Sequence, residues 1–331
     1  MITKKALKNY ILPLIGVVIL IIFIKNIPSE LLSLSLQEIG FINIIILLSL
    51  TALDLFLKAV RWQLLIHKIT KVKIPLKFSF GTVLAGIAGS SIIPGRIELT
   101  RPLMLKTEYD VPLSSSVSAL STERVMDLVS LLVIMTLGIL FLSTSISISF
   151  ILPALVAVII VLIFFFFVTI FTPYWISMIE RVLFVFVRKE NSREKIRQFL
   201  TSFFEGLSRM EKRYVTGMTL FSIMINGIEI IRFYLLLQMA GLGVSLAAVG
   251  FAFTASILIG VVTMIPGGIG VTELSAAEII TKLVPSLPKG LVTSGVLLDR
   301  VIAYYILIAA GALILTFYGR YSLAEKNSQN Q

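Results

Sequence analysis

The stretch from Leu246 to Val284 reads LAAVGFAFTASILIGVVTMIPGGIGVTELSAAEIITKLV, and it decides what kind of fold this chain can form. Its first half carries no charged residue and is rich in glycine and other small residues. The apolar run then stops at Pro266-Gly267-Gly268-Ile269-Gly270, and a second apolar segment starts near Thr272. Such a backbone break is tolerated at membrane depth only where it is buried in protein or lines a cavity. We interpret the stretch as a broken, re-entrant helix of a membrane protein.

The composition of the whole chain supports this interpretation. Hydrophobic residues make up 57% of the chain, charged residues 14%, and the mean hydropathy is +1.00. A soluble domain carries about a quarter charged residues. We therefore predict an all-α integral membrane protein with about six full spans and two re-entrant broken segments. The predicted spans are Tyr10–Ile24, Gly40–Leu57, Ser114–Leu142, Ile151–Thr172, Val215–Ala240 and Leu291–Phe317.

The charge balance indicates orientation rather than nucleic-acid binding. The net charge is +11, from 29 Lys and Arg against 18 Asp and Glu. The basic residues cluster in short loops between apolar stretches, as the positive-inside rule requires for cytoplasmic loops. We expect a multi-pass protein of the cell membrane with both termini in the cytoplasm and no nucleic-acid partner. Segment 173–213 is predicted to be an amphipathic cytoplasmic helix near the membrane surface.

Several classes of chemistry are excluded by the residues that the chain lacks. It has no Cys and a single His, His67, which sits in a Lys-rich segment expected to be a loop. No disulfide, thiolate nucleophile, histidine metal cluster or Ser-His-Asp triad can be built from this set. A Gly-x-x-x-x-Gly-Lys-Ser/Thr loop is also missing, so ATP is not the direct driver. We expect no catalytic residue, no metal and no cofactor.

The two halves of the chain match each other in three places. The matched features are Arg61 with Arg232, Pro94-Gly95-Arg96-Ile97-Glu98-Leu99-Thr100 with Pro266 to Thr272, and Glu123-Arg124 with Asp299-Arg300. The offsets are 232 − 61 = 171, 266 − 94 = 172 and 299 − 123 = 176 residues. We predict one transmembrane domain, 1–331, with repeat 1 at about 39–142, a linking span at 151–172 and repeat 2 at about 215–318. One linking span inverts the second repeat, and paired broken segments in inverted repeats point to alternating access. The alternative is that the glycines only allow close helix packing.

Ionisable residues inside the spans form the candidate binding site. A charge at the bilayer centre costs about 3 kcal/mol or more, so these residues are expected to face a polar interior. Asp54, Lys58 and Arg61 also share one helix face by their spacing. The candidate substrate-binding residues are Arg61, Arg96, Glu98, Arg101, Glu123, Arg124, Asp127, Glu229, Arg232, Thr272, Glu273, Asp299 and Arg300. The alternative for any one pair is a purely structural ion pair.

The breaks themselves are Pro94-Gly95 and Pro266-Gly267-Gly268, with Gly270. Each is followed by a helix start, for which Thr272 is the expected N-cap and Pro102 a natural first-turn residue. A helix amino terminus offers unpaired N–H groups and a positive dipole end. With Arg96 and Arg101 beside it, the first break is expected to attract a phosphate or carboxylate.

At these residues the chain resembles the flippase-like transmembrane domain of lysylphosphatidylglycerol synthetases and its stand-alone relatives. The motifs that carry the resemblance are Lys58-Ala-Val-Arg61-Trp62, Pro94 to Pro102, Thr122 to Leu128, Pro266 to Glu273, and Asp299-Arg300. The family pattern in the first break is Pro-x-Arg-x-Gly-Glu, whereas Arg96-Ile97-Glu98 lacks the glycine. This contraction brings Glu98 one residue closer to Arg96 than in the family pattern.

The resemblance implies an all-helical domain which, in the synthetases, moves aminoacylated phosphatidylglycerol between leaflets. Those enzymes also carry a cytosolic aminoacyl-transferase domain, which we do not expect here because the sequence ends at Gln331, just after the last predicted span. The leading hypothesis is a lipid flippase that moves an anionic phospholipid or a polyprenyl-linked headgroup. The alternatives are an integral transferase acting on a lipid carrier and an accessory membrane subunit. A homo-oligomer or a separate synthase partner is compatible with each.

Overall fold

The computed structural model describes residues 39–91, 98–142, 190–208 and 210–329. All regular elements within these ranges are helical. In chain order the α-helices are α1 (Phe41–Thr70), α2 (Leu76–Ser90), α3 (Thr100–Tyr109), α4 (Leu113–Leu142), α5 (Glu190–Ser208), α6 (Lys212–Met239), α7 (Leu246–Val262), α8 (Val271–Leu283), α9 (Lys289–Arg300) and α10 (Ile306–Gln329). A 3₁₀ turn, Pro266–Gly268, precedes α8, and a π turn, Val301–Tyr305, joins α9 to α10.

Four helical stretches in the described ranges are long and apolar enough to cross a membrane. They are α1, α4, α6 and the continuous stretch Lys289–Tyr318. These four coincide with predicted spans, because an apolar run of about 20 residues is a local signal. The predicted spans Tyr10–Ile24 and Ile151–Thr172 lie outside the described residues. The shorter apolar helices α2 and α7 coincide with the segments predicted to precede the two breaks.

Helix α1 runs further than its charges suggested. The predicted span stopped at Leu57 because Lys58 and Arg61 follow, but α1 continues to Thr70. The helix does not need to end at these charges because both side chains are paired with carboxylates, as described below. His67 consequently lies in the last turn of α1, half-buried, and the expectation that it sits in a loop is wrong.

The chain forms two compact units. One contains the described residues of 39–60, 75–101 and 225–329, and the other those of 61–74 and 102–224. In the first unit α2 packs against α10, α7 against α8, and α8 against α9. In the second unit α4 packs against α5. The predicted division into repeats 39–142 and 215–318 follows a different boundary and stays a prediction.

The second break forms where the sequence placed it. Helix α7 ends at Val262, and the chain then passes through the left-handed region at Met264 (φ 56°), Gly267 (φ 63°), Gly268 (φ 67°) and Gly270 (φ 85°). Only glycine adopts such angles without strain. A Cβ at Gly267 would also lie 2.5 Å from the hydroxyl oxygen of Tyr304. The Pro-Gly-Gly-Ile-Gly sequence therefore makes both the turn and the close approach to the π turn possible.

Candidate functional site

Glu273 is the centre of the polar cluster at the second break. Its side chain is 4% exposed. The N–H of Gly270 donates to Oε2 at 2.7 Å, Arg300 Nε lies 3.1 Å from Oε1, and the Tyr305 hydroxyl donates to Oε1 at 3.3 Å. The carboxylate therefore occupies the position at the start of α8 where a bound anion would be favoured.

Thr272 is not the N-cap of α8, which corrects the sequence prediction. Gly270 takes that position, and Thr272 lies inside the first turn with its hydroxyl donating to the Gly268 carbonyl at 2.9 Å. The N-cap has φ 85°, a conformation that disfavours threonine. The buried Thr272 side chain instead lines a cavity, described below.

The π turn explains why Arg300, Tyr304 and Tyr305 face the same carboxylate region. A π turn contains one residue more than a turn of α-helix. The side chains four and five residues after Arg300 therefore both lie on the same face of the helix as Arg300. The Arg300 guanidinium carbon lies 5.3 Å from the centroid of the Tyr304 ring, within range of a cation–π interaction. Arg300 Nη2 is buried and has no hydrogen-bond partner among the described residues. Arg300 therefore retains a donor for a further ligand.

A small cavity of about 20 Å³, enough for roughly one water molecule, lies beside this arginine. Helices α6, α7, α8 and α9 all contribute to its wall. The lining residues that matter for binding are Phe233, Phe253, Ser256, Thr272, Asp299 and Arg300. Two aromatic rings and a few polar groups converge on this cavity, so a ligand larger than a water molecule would enter it only if the surrounding helices moved apart.

A second buried ion pair lies within the same unit. Arg232 on α6 donates to both carboxylate oxygens of Asp299 on α9, with Nε–Oδ1 at 3.0 Å and Nη2–Oδ2 at 3.4 Å. Both side chains are buried. This fork arrangement fixes α6 and α9 in register, since an arginine–carboxylate fork has a defined geometry.

Lys58 is shared by two carboxylates in that unit. Its Nζ lies 2.9 Å from Asp54 Oδ2 and 2.5 Å from Glu229 Oε1. Glu229 belonged to the predicted site, whereas Asp54 and Lys58 did not. The spacing of Asp54 and Lys58, which places them on the same face of α1 as Arg61, is visible in the sequence and could have added them to the predicted site.

Arg61 is the centre of the cluster in the second unit. Nη2 lies 2.9 Å from Glu123 Oε1, both outer nitrogens bond Asp127, and Nη1 donates to the Ser222 hydroxyl at 2.6 Å. Arg124 lies at the edge of this group, 3.7 Å from Asp127 and 45% exposed. The structure thus brings together the predicted residues Arg61, Glu123, Arg124 and Asp127.

The first break is described only from Glu98 onward, so Pro94, Gly95 and Arg96 lie outside the described residues. Glu98 and Arg101 form a buried ion pair at 2.6 Å. Helix α3 begins at Thr100 with Pro102 in its first turn, as predicted. A Cβ at Gly86 of α2 would lie 2.6 Å from Arg101 Nε and from Glu98 Oε2. The glycine therefore leaves the space that this ion pair occupies.

Replacing Gly86 with Ala is expected to displace the Glu98–Arg101 pair, because the added methyl group needs the volume of both charged groups. The expected result is a loss of stability of about 1–3 kcal/mol, the usual effect of overpacking. Thermal unfolding of the purified protein in detergent measures it. Gly81→Ala is the matched control on the same helix, since its Cβ would meet only Ile314 at 4.0 Å. Equal effects of the two substitutions would contradict this description.

Comparison with known proteins places the chain among membrane proteins of one family. Residues 10–311 match the family described as the lysylphosphatidylglycerol synthase TM region. A UPF0104 membrane protein of Pyrococcus horikoshii is 24% identical over 331 residues, covering 93% of this chain and 97% of the relative. A UPF0104 membrane protein of Methanothermobacter thermautotrophicus is 23% identical over 338 residues, covering 96% and 98%. The chain is an all-helical membrane protein that belongs to the lysylphosphatidylglycerol synthase TM region family.

Proposed function

We propose that the protein is a lipid carrier that moves an anionic or zwitterionic headgroup between leaflets by alternating access. The observation that carries the proposal is the second-break site. There a half-buried arginine whose buried Nη2 has no partner among the described residues, a broken-helix amino terminus and a small cavity adjoin one another. Buried charges in membrane helices are costly and mark substrate or ion pathways. In this proposal the headgroup enters the cavity while the acyl chains stay in lipid.

The proposed architecture has about six spans and two re-entrant segments in an inverted repeat. The repeat offset supports it, because each half supplies an equivalent ion pair. Arg61 pairs with Glu123, and the matched Arg232 pairs with the matched Asp299. Two unrelated halves would have no reason to repeat both the residues and their pairing.

The Lys58–Glu229 contact supports the repeat independently. The two residues are 171 apart, the same offset that relates Arg61 to Arg232. They therefore occupy matched positions and contact each other. In a two-fold symmetric arrangement, a residue close to the axis contacts its own symmetry counterpart. The Lys58–Glu229 contact is therefore the one expected if the axis of the inverted repeat runs between α1 and α6.

The chemistry at the second break favours exchange of one anion for another. Glu273 already accepts hydrogen bonds from the Gly270 N–H and Tyr305 and pairs with Arg300. A phosphate oxygen is recognised by the same donors. We propose that the headgroup phosphate first bonds Arg300 Nη2 and then competes with Glu273 for the remaining donors. Binding thereby alters the contact between α8 and α9.

Leaflet exchange of fluorescent phospholipids in liposomes that contain the purified protein tests the proposal. We expect faster exchange than in protein-free liposomes for at least one anionic or zwitterionic headgroup, with a smaller effect for a neutral glycolipid. Equal rates with and without protein for every headgroup would reject the carrier. Headgroup-modified lipids appearing on expression, detected by mass spectrometry, would favour the transferase instead. Wild-type function in Arg124→Gln and Glu273→Gln, with loss only in loop variants, would favour an accessory subunit.

Single-cysteine labelling tests the inverted repeat, since the chain contains no Cys of its own. We expect Leu99→Cys and Val271→Cys, which are exposed or partly exposed and 172 residues apart, to react with a membrane-impermeant maleimide from opposite sides of the membrane. Gly217→Cys near the start of α6 serves as the control for cytoplasmic access. Reaction of both matched positions from the same side would contradict the inverted arrangement.

A further inference from the structure

We propose that Asp54 holds a proton in the folded protein at neutral pH and that the cluster around it is a proton-binding site. Proton binding at Asp54 stands on the structure alone. A role for this proton in the transport cycle rests also on the proposed function.

Asp54 lies in the middle of α1 and is 2% exposed. Its Oδ2 contacts Lys58, but Oδ1 is buried and receives no hydrogen bond from any described residue. An ionised carboxylate normally accepts several hydrogen bonds, and one left half-satisfied in a low-dielectric environment is costly. Oδ1 is therefore an atom at which the ionised form lacks support.

The charges of the cluster that contains Asp54 do not balance when every group is ionised. Lys58 contacts both Asp54 and Glu229, Glu229 shares α6 with Arg232, Arg232 pairs with Asp299 on α9, and the adjoining Arg300 pairs with Glu273 on α8. This connected group holds four carboxylates (Asp54, Glu229, Asp299 and Glu273) and three cations (Lys58, Arg232 and Arg300). One negative charge is in excess among the described residues of this group. The least costly compensation inside a membrane protein is a bound proton.

The ionised forms of the other three carboxylates are better stabilised by their partners than that of Asp54. Both oxygens of Asp299 are bonded by Arg232, and Glu273 has a backbone donor, an arginine and a tyrosine. Glu229 is 16% exposed and makes the shorter contact with Lys58. The only cation that Asp54 contacts is Lys58, which it shares with Glu229. Asp54 is therefore the carboxylate that holds the proton.

The repeat gives Asp54 no ionisable counterpart. Lys58, Arg61, Glu123 and Arg124 each match an ionisable residue in the second half, whereas Asp127 matches 127 + 176 = 303, an alanine. Asp54 likewise matches 54 + 171 = 225, a buried isoleucine. The excess carboxylate is thus present on one side of the proposed axis only, and an ion pair shared by both halves does not account for it.

Loss of this proton would act on Lys58. With Asp54 neutral, the Lys58 ammonium is held mainly by Glu229 across α1 and α6. When the Oδ1–H bond breaks and the proton passes to water, the newly charged Asp54 competes for the same ammonium. The α1–α6 contact then weakens. Lys58 is 23% exposed and Glu229 16%, so the cluster reaches the surface of the described part of the protein at these two side chains.

Infrared difference spectroscopy of the full-length protein in detergent tests the site. The spectrum of wild type minus Asp54→Asn at neutral pH is expected to show the C=O stretch of a protonated carboxyl group, shifted by deuterium oxide. Asp127→Asn is the matched control, because its carboxylate is paired with Arg61 and lies outside this charge group, and it is expected to leave that band in place. A wild-type spectrum with only the carboxylate band of Asp54 overturns the proposal. A band that appears only when sodium is removed also overturns it, in favour of a bound cation.

The role in transport has its own measurement. A pH gradient across the liposome is expected to change the rate of wild-type lipid exchange by at least about three-fold and to leave the Asp54→Asn rate unchanged. Wild-type exchange that is insensitive to the gradient overturns the coupling, even if the infrared band is present. If protein-mediated exchange is absent altogether, the carrier proposal fails, while the infrared result still decides proton binding.

Discussion

Replacing Arg61 with Met is expected to destabilise the protein by about 3–5 kcal/mol, because it strands two carboxylates at the centre of a buried cluster. Glu123 and Asp127 both lose their main cation, and Glu123 has almost no access to solvent. Thermal unfolding in detergent measures the effect, which corresponds to a fall in Tm on the order of 10 °C.

Two further variants separate charge from packing at this position. Arg61→Met combined with Glu123→Gln and Asp127→Asn is expected to recover much of the lost stability, since no unpaired charge then remains at the centre. Arg61→Lys keeps the charge but cannot span Glu123, Asp127 and Ser222 with one fork, and it is expected to fall between the two. A Tm for Arg61→Met within a degree of wild type would contradict the described cluster.

Replacing Gly311 with Leu is expected to force α2 and α10 apart. A Cβ at Gly311 would collide with the backbone carbonyl of Leu84, which unlike a side chain has no rotamer to move into. These helices pack closely along their length. Gly311→Ala is expected to cost about 1–3 kcal/mol through the backbone collision, and Gly311→Leu more. The yield of monodisperse protein and its thermal unfolding measure both variants.

Gly227→Ala is the matched control for Gly311. It changes a glycine within α6 whose Cβ would meet no heavy atom within 4 Å. This substitution is expected to be neutral or to stabilise the protein by up to about 1 kcal/mol, from the better helix propensity of alanine. If Gly227→Ala and Gly311→Ala shifted stability equally and in the same direction, the proposed close contact of α2 with α10 would be wrong.

The features that the sequence predicted well are local ones. Four predicted spans correspond to four long helices, and the break at Pro266 to Gly270 forms at those residues. The length of an apolar run and the positions of glycine and proline determine such features within a few helical turns. The family resemblance, carried by short motifs, was likewise confirmed.

Features that depend on distant partners could not be predicted in the same way. Helix α1 passes through Lys58 and Arg61 only because carboxylates from other helices pair with them. The N-cap of α8 is Gly270 and not Thr272, because the turn requires a positive φ at that position. The π turn after Arg300 has no recognisable sequence signal, yet it brings Tyr304 and Tyr305 to the Glu273 cluster.

The sequence identifies the candidate residues by their charge within apolar segments. It does not indicate which of these residues pair with one another. The repeat offset predicts that Arg61 and Arg232 are counterparts but does not identify the partner of either. The structure adds that each binds a carboxylate which is itself a counterpart, and that Lys58 and Glu229 meet across the same offset. Pairing of this kind is a tertiary property, since the partners are separated by more than 60 residues.

The rate at which an anionic fluorescent phospholipid changes leaflets, compared between wild type and Arg300→Gln at equal amounts of folded protein, tests the central claim most directly. Wild type is expected to exceed protein-free liposomes. Arg300→Gln is expected to be slower than wild type by about ten-fold or more, because a charged hydrogen bond to phosphate contributes about 1.5–3 kcal/mol. A wild-type rate equal to that of protein-free liposomes would contradict the carrier. Equal rates for wild type and Arg300→Gln would contradict the headgroup site at the second break.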